Sequence, residues 1–409
     1  MGDATYRRRL LLWLGSATFF EGFDFMALGQ VLPELRQGLH LSKQSGATLV
    51  GLVNAGMLLS FFIVRLADRY GRRPVMLLSI ACYALATLAT ALTQQVEGFV
   101  GWQLCARAFL VAELSLAPIF VAEEYPAERR GAAIALVLST HVLGMVACAG
   151  LVPVLLRTPW GWRTVFLSGA VPLVLALLGL LLLRETRRFQ ALPAEPRRHR
   201  SLLHILRTPY RGRVLLVAAA WGATYLCTQS AALFWREFAL SERGLSTEQV
   251  GRALSLSVLL ALPVVAATGR LIDRLGRRRG AVVPFTMAFA GVAAAYSLHS
   301  AAALTVALTI GLAGCSAVLP ILNAYTAELF PTDLRSDATA WANGLLGRSA
   351  AVLAPIGTGL IAERSSWGLG VLCVTPGPLL ALLLILFLFP ETRGRELEQT
   401  AELARAAPP

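Results

Sequence analysis

Apolar residues run along this chain in long stretches separated by short polar gaps. A helix needs about 20 such residues to cross the hydrocarbon core of a bilayer. Twelve stretches qualify, near 10–33, 46–66, 74–93, 98–121, 132–155, 164–183, 213–235, 249–270, 281–298, 301–325, 338–361 and 368–389. They are too long for barrel strands and lack period-two alternation, which excludes a closed β-barrel. The stretch from Arg184 to Arg213 holds nine arginines together with Pro193, Pro196 and Pro209. It is too polar to span and separates six spans from six, with a surface helix expected around 201–207. The predicted fold is an all-α membrane protein. Residues 1–184 form an N-terminal six-helix bundle, 185–212 a cytoplasmic linker, 213–392 a C-terminal six-helix bundle, and 393–409 a cytoplasmic tail.

Composition agrees. The chain is 56% hydrophobic and only 15% charged, with a mean hydropathy of +0.63. Soluble domains carry roughly 25% charged residues. The net charge of +13 raises the possibility of a nucleic-acid partner, but the cations are confined to gaps between apolar runs. With the N-terminus in the cytoplasm, 26 of the 37 Lys and Arg fall in cytoplasmic segments. Positive charge is retained on that side, so both termini are expected to be cytoplasmic, in the cell (inner) membrane. The six cysteines all lie in apolar runs without a CxxC pair and are expected to be apolar filler. No metal, cofactor or nucleic-acid partner is expected. The expected partners are the lipid bilayer and a small-molecule solute, with the chain a monomer. No HExxH or GxSxG constellation suggests an enzyme.

The two sets of six repeat. At an offset of 205, Asp68, Gly71, Arg72 and Arg73 recur as Asp273, Gly276, Arg277 and Arg278, and Glu123, Pro126 and Arg130 as Glu328, Pro331 and Arg335. Trp162 recurs as Trp367, and Glu185–Thr186 as Glu391–Thr392 with one residue of slippage. Parallel repeats of six spans are one way transporters build two halves. The glycines permit a tight turn. Asp68 and Asp273 follow span ends, where a carboxylate can accept from a helix N-terminus or pair with arginine.

Charges inside the spans break the repeat. Glu21, Asp24, Arg107 and Glu113 map onto Leu226, Gln229, Leu312 and Val318, and Arg348 maps back onto Leu143. An ionisable group in hydrocarbon costs roughly 3 kcal/mol or more, so it persists beside a partner or a wet cavity. Glu21 and Asp24 share one helix face. Mutual repulsion and burial both favour a proton on one of them, and Asp24, deeper in the span, is the first candidate carrier. Arg107 can neutralise Asp24 or meet an anionic substrate. Glu113, about 120° around the same helix, faces other neighbours and is a candidate second proton site. Arg348 has no acid within reach on its own helix, so it is served by an anionic substrate or by a carboxylate from another helix. His141 titrates near neutral pH when unperturbed, although a lone helical histidine is more often a packed, hydrogen-bonded residue. Gln229, Asn343, Asn323, Tyr225, Asn54 and Trp221 are candidate uncharged contacts.

Residues 66–73, LADRYGRR, and 269–278, GRLIDRLGRR, resemble the major facilitator superfamily motif in the loops between helices 2 and 3 and between 8 and 9. The first copy has Val64 where that family has glycine. The resemblance covers essentially the whole chain. It implies the two-bundle fold with pseudo-two-fold symmetry and alternating access. It also implies a cytoplasmic gate of Asp68, Arg69, Gly71, Arg72, Arg73, Glu123, Arg130, Asp273, Arg274, Gly276, Arg277, Glu328 and Arg335. FEGFDFMALGQVLPEL in the first span resembles the DGxD signature of aromatic acid:proton symporters, with Glu21 as its first acid. Residues 325–357 look like the same group and its nicotinate-type, organic-ion and synaptic-vesicle-2-like relatives, and GWRTVFLSGAVP at 161–172 also fits. FPETRGRELEQ at 389–399 looks like the sugar-porter ending, but the seventh span lacks the paired glutamines of sugar porters. No clear GxxxGPxxGG run of drug antiporters is present. The implied activity is proton-coupled symport of a small organic anion, with Arg348 and Arg107 attracting its carboxylate and Asp24 with Glu21 carrying the proton. The alternatives are an exporter or sugar porter of the same fold, and a non-transporting sensor.

Overall fold

The computed structural model describes residues 3–186, 190, 205–331 and 334–392. Among these every regular element is helical. Twelve helices are long and apolar enough to cross a membrane, and each overlaps one predicted run: α1 Thr5–Gly38, α2 Lys43–Ala67, α3 Arg72–Leu92, α4 Val96–Glu124, α5 Ala132–Leu155, α6 Trp162–Leu182, α7 Arg211–Leu233, α8 Thr247–Val265, α9 Arg277–Ser297, α10 Ala301–Thr326, α11 Asp337–Arg364 and α12 Trp367–Leu388. Side chains such as Leu181 and Phe387 stand largely exposed, as expected of helices whose backbone is satisfied internally and whose outer faces meet lipid.

Local chemistry starts several of these helices. Ser246 and Gln249 cap α8 reciprocally, each side chain accepting from the other's backbone N–H, as a capping box requires. Ser300 and Ser366 accept from the N–H groups of Ala303 and Leu369 at the starts of α10 and α12. Gly71 and Gly276 sit at φ of 106° and 88° just before α3 and α9, a region costly for any residue with a Cβ.

Four helices are less regular than their apolar patterns suggest. α2 is interrupted at Ala55, α6 turns between Leu167 and Ala170, and α12 turns between Val374 and Gly377. α11 contains a π-helical stretch, Ala340–Gly347. The helix expected around 201–207 is a single 3₁₀ turn at Ile205–Arg207, with 201–204 outside the described residues. Most of the linker and the tail 393–409 also lie outside them. Arg236, which the charge pattern places in a loop, is buried in a short helix, Trp235–Ser241.

The chain forms two compact units, Met1–Ser42 with Leu52–Pro196, and Lys43–Gly51 with Arg197–Pro409. In the first, α1 packs along α5, and α4 is flanked by α2 and α3. The α1–α5 contact is made backbone to backbone. A Cβ on Gly22 would fall 1.9 Å from the His141 carbonyl oxygen, and one on Gly144 would fall 1.9 Å from that of Phe19. Small residues allow such approach between membrane helices. In the second unit α10 packs against α8 and α9, and α7 contacts α11 and α12.

Candidate functional site

The first unit gathers its ionisable mid-span groups from α1, α4 and α5, with hydroxyls from α3. The close approach at Gly22 brings Glu21 of α1 against α5, where its Oε2 lies 2.8 Å from His141 Nδ1. Asp24 turns to a different helix and accepts at Oδ2 from Thr87 Oγ1 of α3 at 2.9 Å. The two acids share a face in sequence, yet each is bound by its own neighbour. Glu21 Oε1 and Asp24 Oδ1 have no hydrogen-bond partner.

Arg107 of α4 is buried between these groups and the Phe25 region. Its Nη1 donates to the Phe25 carbonyl at 3.4 Å, and its guanidinium lies 4.6 Å from the Phe25 ring centroid, a cation–π contact. It is within electrostatic reach of Asp24 and Glu21 but forms no direct ion pair with either. Glu113, further along α4, is 1% exposed, and neither of its carboxylate oxygens has a partner. Its charged neighbour is Glu21.

Tyr83 of α3 is fully buried, its hydroxyl has no partner, and it lies within electrostatic reach of Glu113, Asp24 and Glu21. Tyr83 and Thr87 were not marked by the reading of intramembrane charges. Their signal is the polar series Ser79, Tyr83, Thr87, spaced four apart on one face of α3. Among the described residues no three His, Cys, Asp or Glu side chains converge to hold a metal ion.

The second unit has a different set. Trp221 and Tyr225, one turn apart on α7, stack with ring centroids 5.4 Å apart. Trp221 Nε1 donates to Thr326 Oγ1 of α10 at 3.0 Å. The Tyr225 hydroxyl donates to Asn343 Oδ1 at 2.8 Å and is also hydrogen-bonded to Arg348. Five residues on an α-helix turn through about 500°, leaving Asn343 and Arg348 about 140° apart. The π-helical stretch ending at Gly347 closes its turns over five residues, so both reach one hydroxyl. Gln229 is half-buried on α7 and Asn323 is exposed on α10. Neither hydrogen-bonds to this set.

The duplicated loop residues build the same structure twice. Glu185 accepts from the backbone N–H groups of Arg72 at 3.0 Å and Arg73 at 3.2 Å, and Glu391 accepts from Arg277 at 2.8 Å and Arg278 at 3.0 Å. Each carboxylate sits on a helix N-terminus, where the dipole and free N–H groups favour an anion. Arg72 Nε meets Glu123 Oε1 at 3.2 Å, and Arg277 Nε meets Glu328 Oε1 at 3.2 Å. Thr186 and Thr392 donate to the remaining oxygens of Glu123 and Glu328. These contacts are internal to each unit. Glu185 and Glu391, which were seen as repeats but not as site residues, thus accept the N–H donors at these helix starts. Arg69 and Arg274 are exposed. The side chains of Asp68, Arg130, Asp273 and Arg335 lie outside the description.

Comparison with known proteins follows this geometry. The niacin transporter NiaP of Acinetobacter baylyi is 24% identical over 95% of this chain and 95% of that protein. The 4-hydroxybenzoate transporter PcaK of Pseudomonas aeruginosa is 31% identical over 45% of this chain and 41% of that protein. A bacterial homolog of the human lysosomal transporter Spinster, solved in an inward-facing and unoccupied conformation, matches the fold over 100% of both chains with a TM-score of 0.77 at 16% identity. The Major Facilitator Superfamily profile matches residues 14–352 and 224–408. With these matches and its twelve membrane-length helices, the chain belongs to the Major Facilitator Superfamily and is a multi-pass membrane transporter rather than an enzyme.

Proposed function

We propose that this transporter carries a small organic anion, of the aromatic monocarboxylate class, by proton-coupled symport. The observation that carries the reading is Asp24: an enclosed carboxylate with one oxygen held by Thr87, the other unpartnered, and Arg107 nearby but not paired with it. Such a group can bind a proton when closed off and release it to water when its surroundings open. The names of the relatives, for niacin and 4-hydroxybenzoate, support a carboxylate on a flat ring. Arg348 supplies a fork of donors matched to a carboxylate, and the Trp221–Tyr225 stack supplies an aromatic face. Asn343 and Tyr225 hold Arg348 in place, while Gln229, Asn323 and Arg107 are secondary contacts.

Alternating access moves the two halves as bodies, stiffened by the paired Glu185 and Glu391 networks. Arg69, Arg130, Arg274 and Arg335 with Asp68 and Asp273 then make the contacts that differ between states, as the cytoplasmic gate. Both termini are cytoplasmic, the protein works as a monomer, and the membrane is that of the cell.

Uptake of labelled niacin and 4-hydroxybenzoate into proteoliposomes with an imposed inward proton gradient tests this. The reading requires accumulation that follows the gradient, and counterflow that survives in Asp24→Asn while accumulation is lost. Uptake indifferent to both the gradient and the substitution would remove the coupling claim. Gradient-driven efflux of the same solutes would make the protein an exporter.

A further inference from the structure

We propose that Glu113 is a second, separately titrating proton site, linked through Glu21 to His141, in addition to the Asp24 site. The inference rests on the coupling reading above and deepens it. Glu113 is 1% exposed and both its oxygens lack hydrogen-bond partners. A buried ionised carboxylate without donors is strongly disfavoured, and binding a proton is the usual remedy.

Its surroundings from each packed helix sharpen the point. α1 presents Glu21, a second acid, with Asp24 one turn on. α3 presents Tyr83, whose enclosed hydroxyl is also unpartnered and lies among the three acids. α5 presents His141, held by Glu21 at 2.8 Å. α2 carries titratable residues only near its two ends, Lys43 at its start and Arg65 in its last turn. On α4 itself Arg107 is engaged with the Phe25 carbonyl and ring.

Three acids, one histidine and one arginine are thus linked through Glu21, which holds His141 and lies near Glu113, Asp24 and Arg107. With every acid ionised and both bases charged, the cluster would still carry one negative charge. One proton on Glu113 neutralises that charge, and a second on Asp24 accompanies the solute. Each proton comes from water on one side and returns to water on the other, with no bond to the solute made or broken.

Infrared difference spectroscopy of the full-length purified carrier in lipid, between alkaline and acidic buffer, reads this without any solute. Two titrating carboxyl bands are expected. Asp24→Asn removes one, Glu113→Gln removes the other, and His141→Gln moves the midpoint of the Glu113 band. Glu113→Asp, which retains the carboxyl, shifts that band rather than deleting it, and serves if the glutamine variant does not fold. If Glu113→Gln deletes no titrating band, or Glu113→Asp shifts none, the second site is overturned. If Glu113→Gln deletes a band and Asp24→Asn deletes none, the second site stands while coupling through Asp24 falls. Bands that appear only on adding sodium would replace the proton by that cation and overturn the proposal.

Discussion

At their loop ends the two halves are nearly superimposable in chemistry, and in mid-span they share almost nothing. Glu185 and Glu391 each accept two backbone N–H bonds at the start of a helix, and Arg72 and Arg277 each meet a glutamate of the same half at 3.2 Å. In mid-span the first half buries Glu21, Asp24, Arg107 and Glu113 beside a half-buried His141, where the second sets an aromatic stack, an asparagine and Arg348. Duplication kept what any six-helix half requires, a satisfied helix start beside a tight turn. On the proposed reading, the work of handling protons and solute is divided between them.

Five substitutions probe that division, from the largest effect to the smallest. Asp24→Asn should reduce gradient-driven accumulation about 100-fold, near the upper end of ordinary coupling energies, with counterflow retained. A loss of counterflow as well would place Asp24 in solute binding and blur the contrast. Arg348→Ala should weaken half-saturation for 4-hydroxybenzoate about 30-fold, the scale of removing one partner of an enclosed charge pair, with the pH dependence of uptake unmoved. A shifted pH profile would assign Arg348 to the proton half of the mechanism.

Gly22→Ala should cost about 1–3 kcal/mol in stability as an overpacked contact, since its new Cβ would meet the His141 carbonyl at 1.9 Å. Thermal unfolding in detergent reads the loss, and an unchanged midpoint would show that α1 and α5 can part without cost. Glu185→Gln and Glu391→Gln should each lower stability by about 1 kcal/mol, the scale of a charge at a helix terminus. The informative result is their equality. A large cost for one and none for the other would mean that the two loop networks have diverged in role despite matching contacts.

Much of this molecule was legible in the residue pattern because the bilayer is so restrictive a solvent. Length and hydropathy located all twelve spans, and the fixed offset of 205 residues separated duplicated from unduplicated charges. The partners were not legible. Glu21 and Asp24 stand three apart, but Gly22 draws α1 onto α5 and gives Glu21 to His141, leaving Asp24 to Thr87. Tyr83 was passed over because the reading followed charges, while its own signal is only the spacing of Ser79, Tyr83 and Thr87 along one helix face. The π-helical turn that aims Asn343 and Arg348 at one tyrosine left no trace in a hydrophobic pattern.

The amino-acid sequence alone determined how many membrane-length helices the chain forms and which charges are unusual. Those follow from solvation of single segments, which each segment settles by itself. Only the tertiary structure decided which acid meets which base, which oxygens go unpartnered, and that Glu185 and Glu391 bind the helix starts. Those outcomes depend on the rotation and spacing of neighbouring helices, which are set by contacts between segments and by the small residues that let backbones touch.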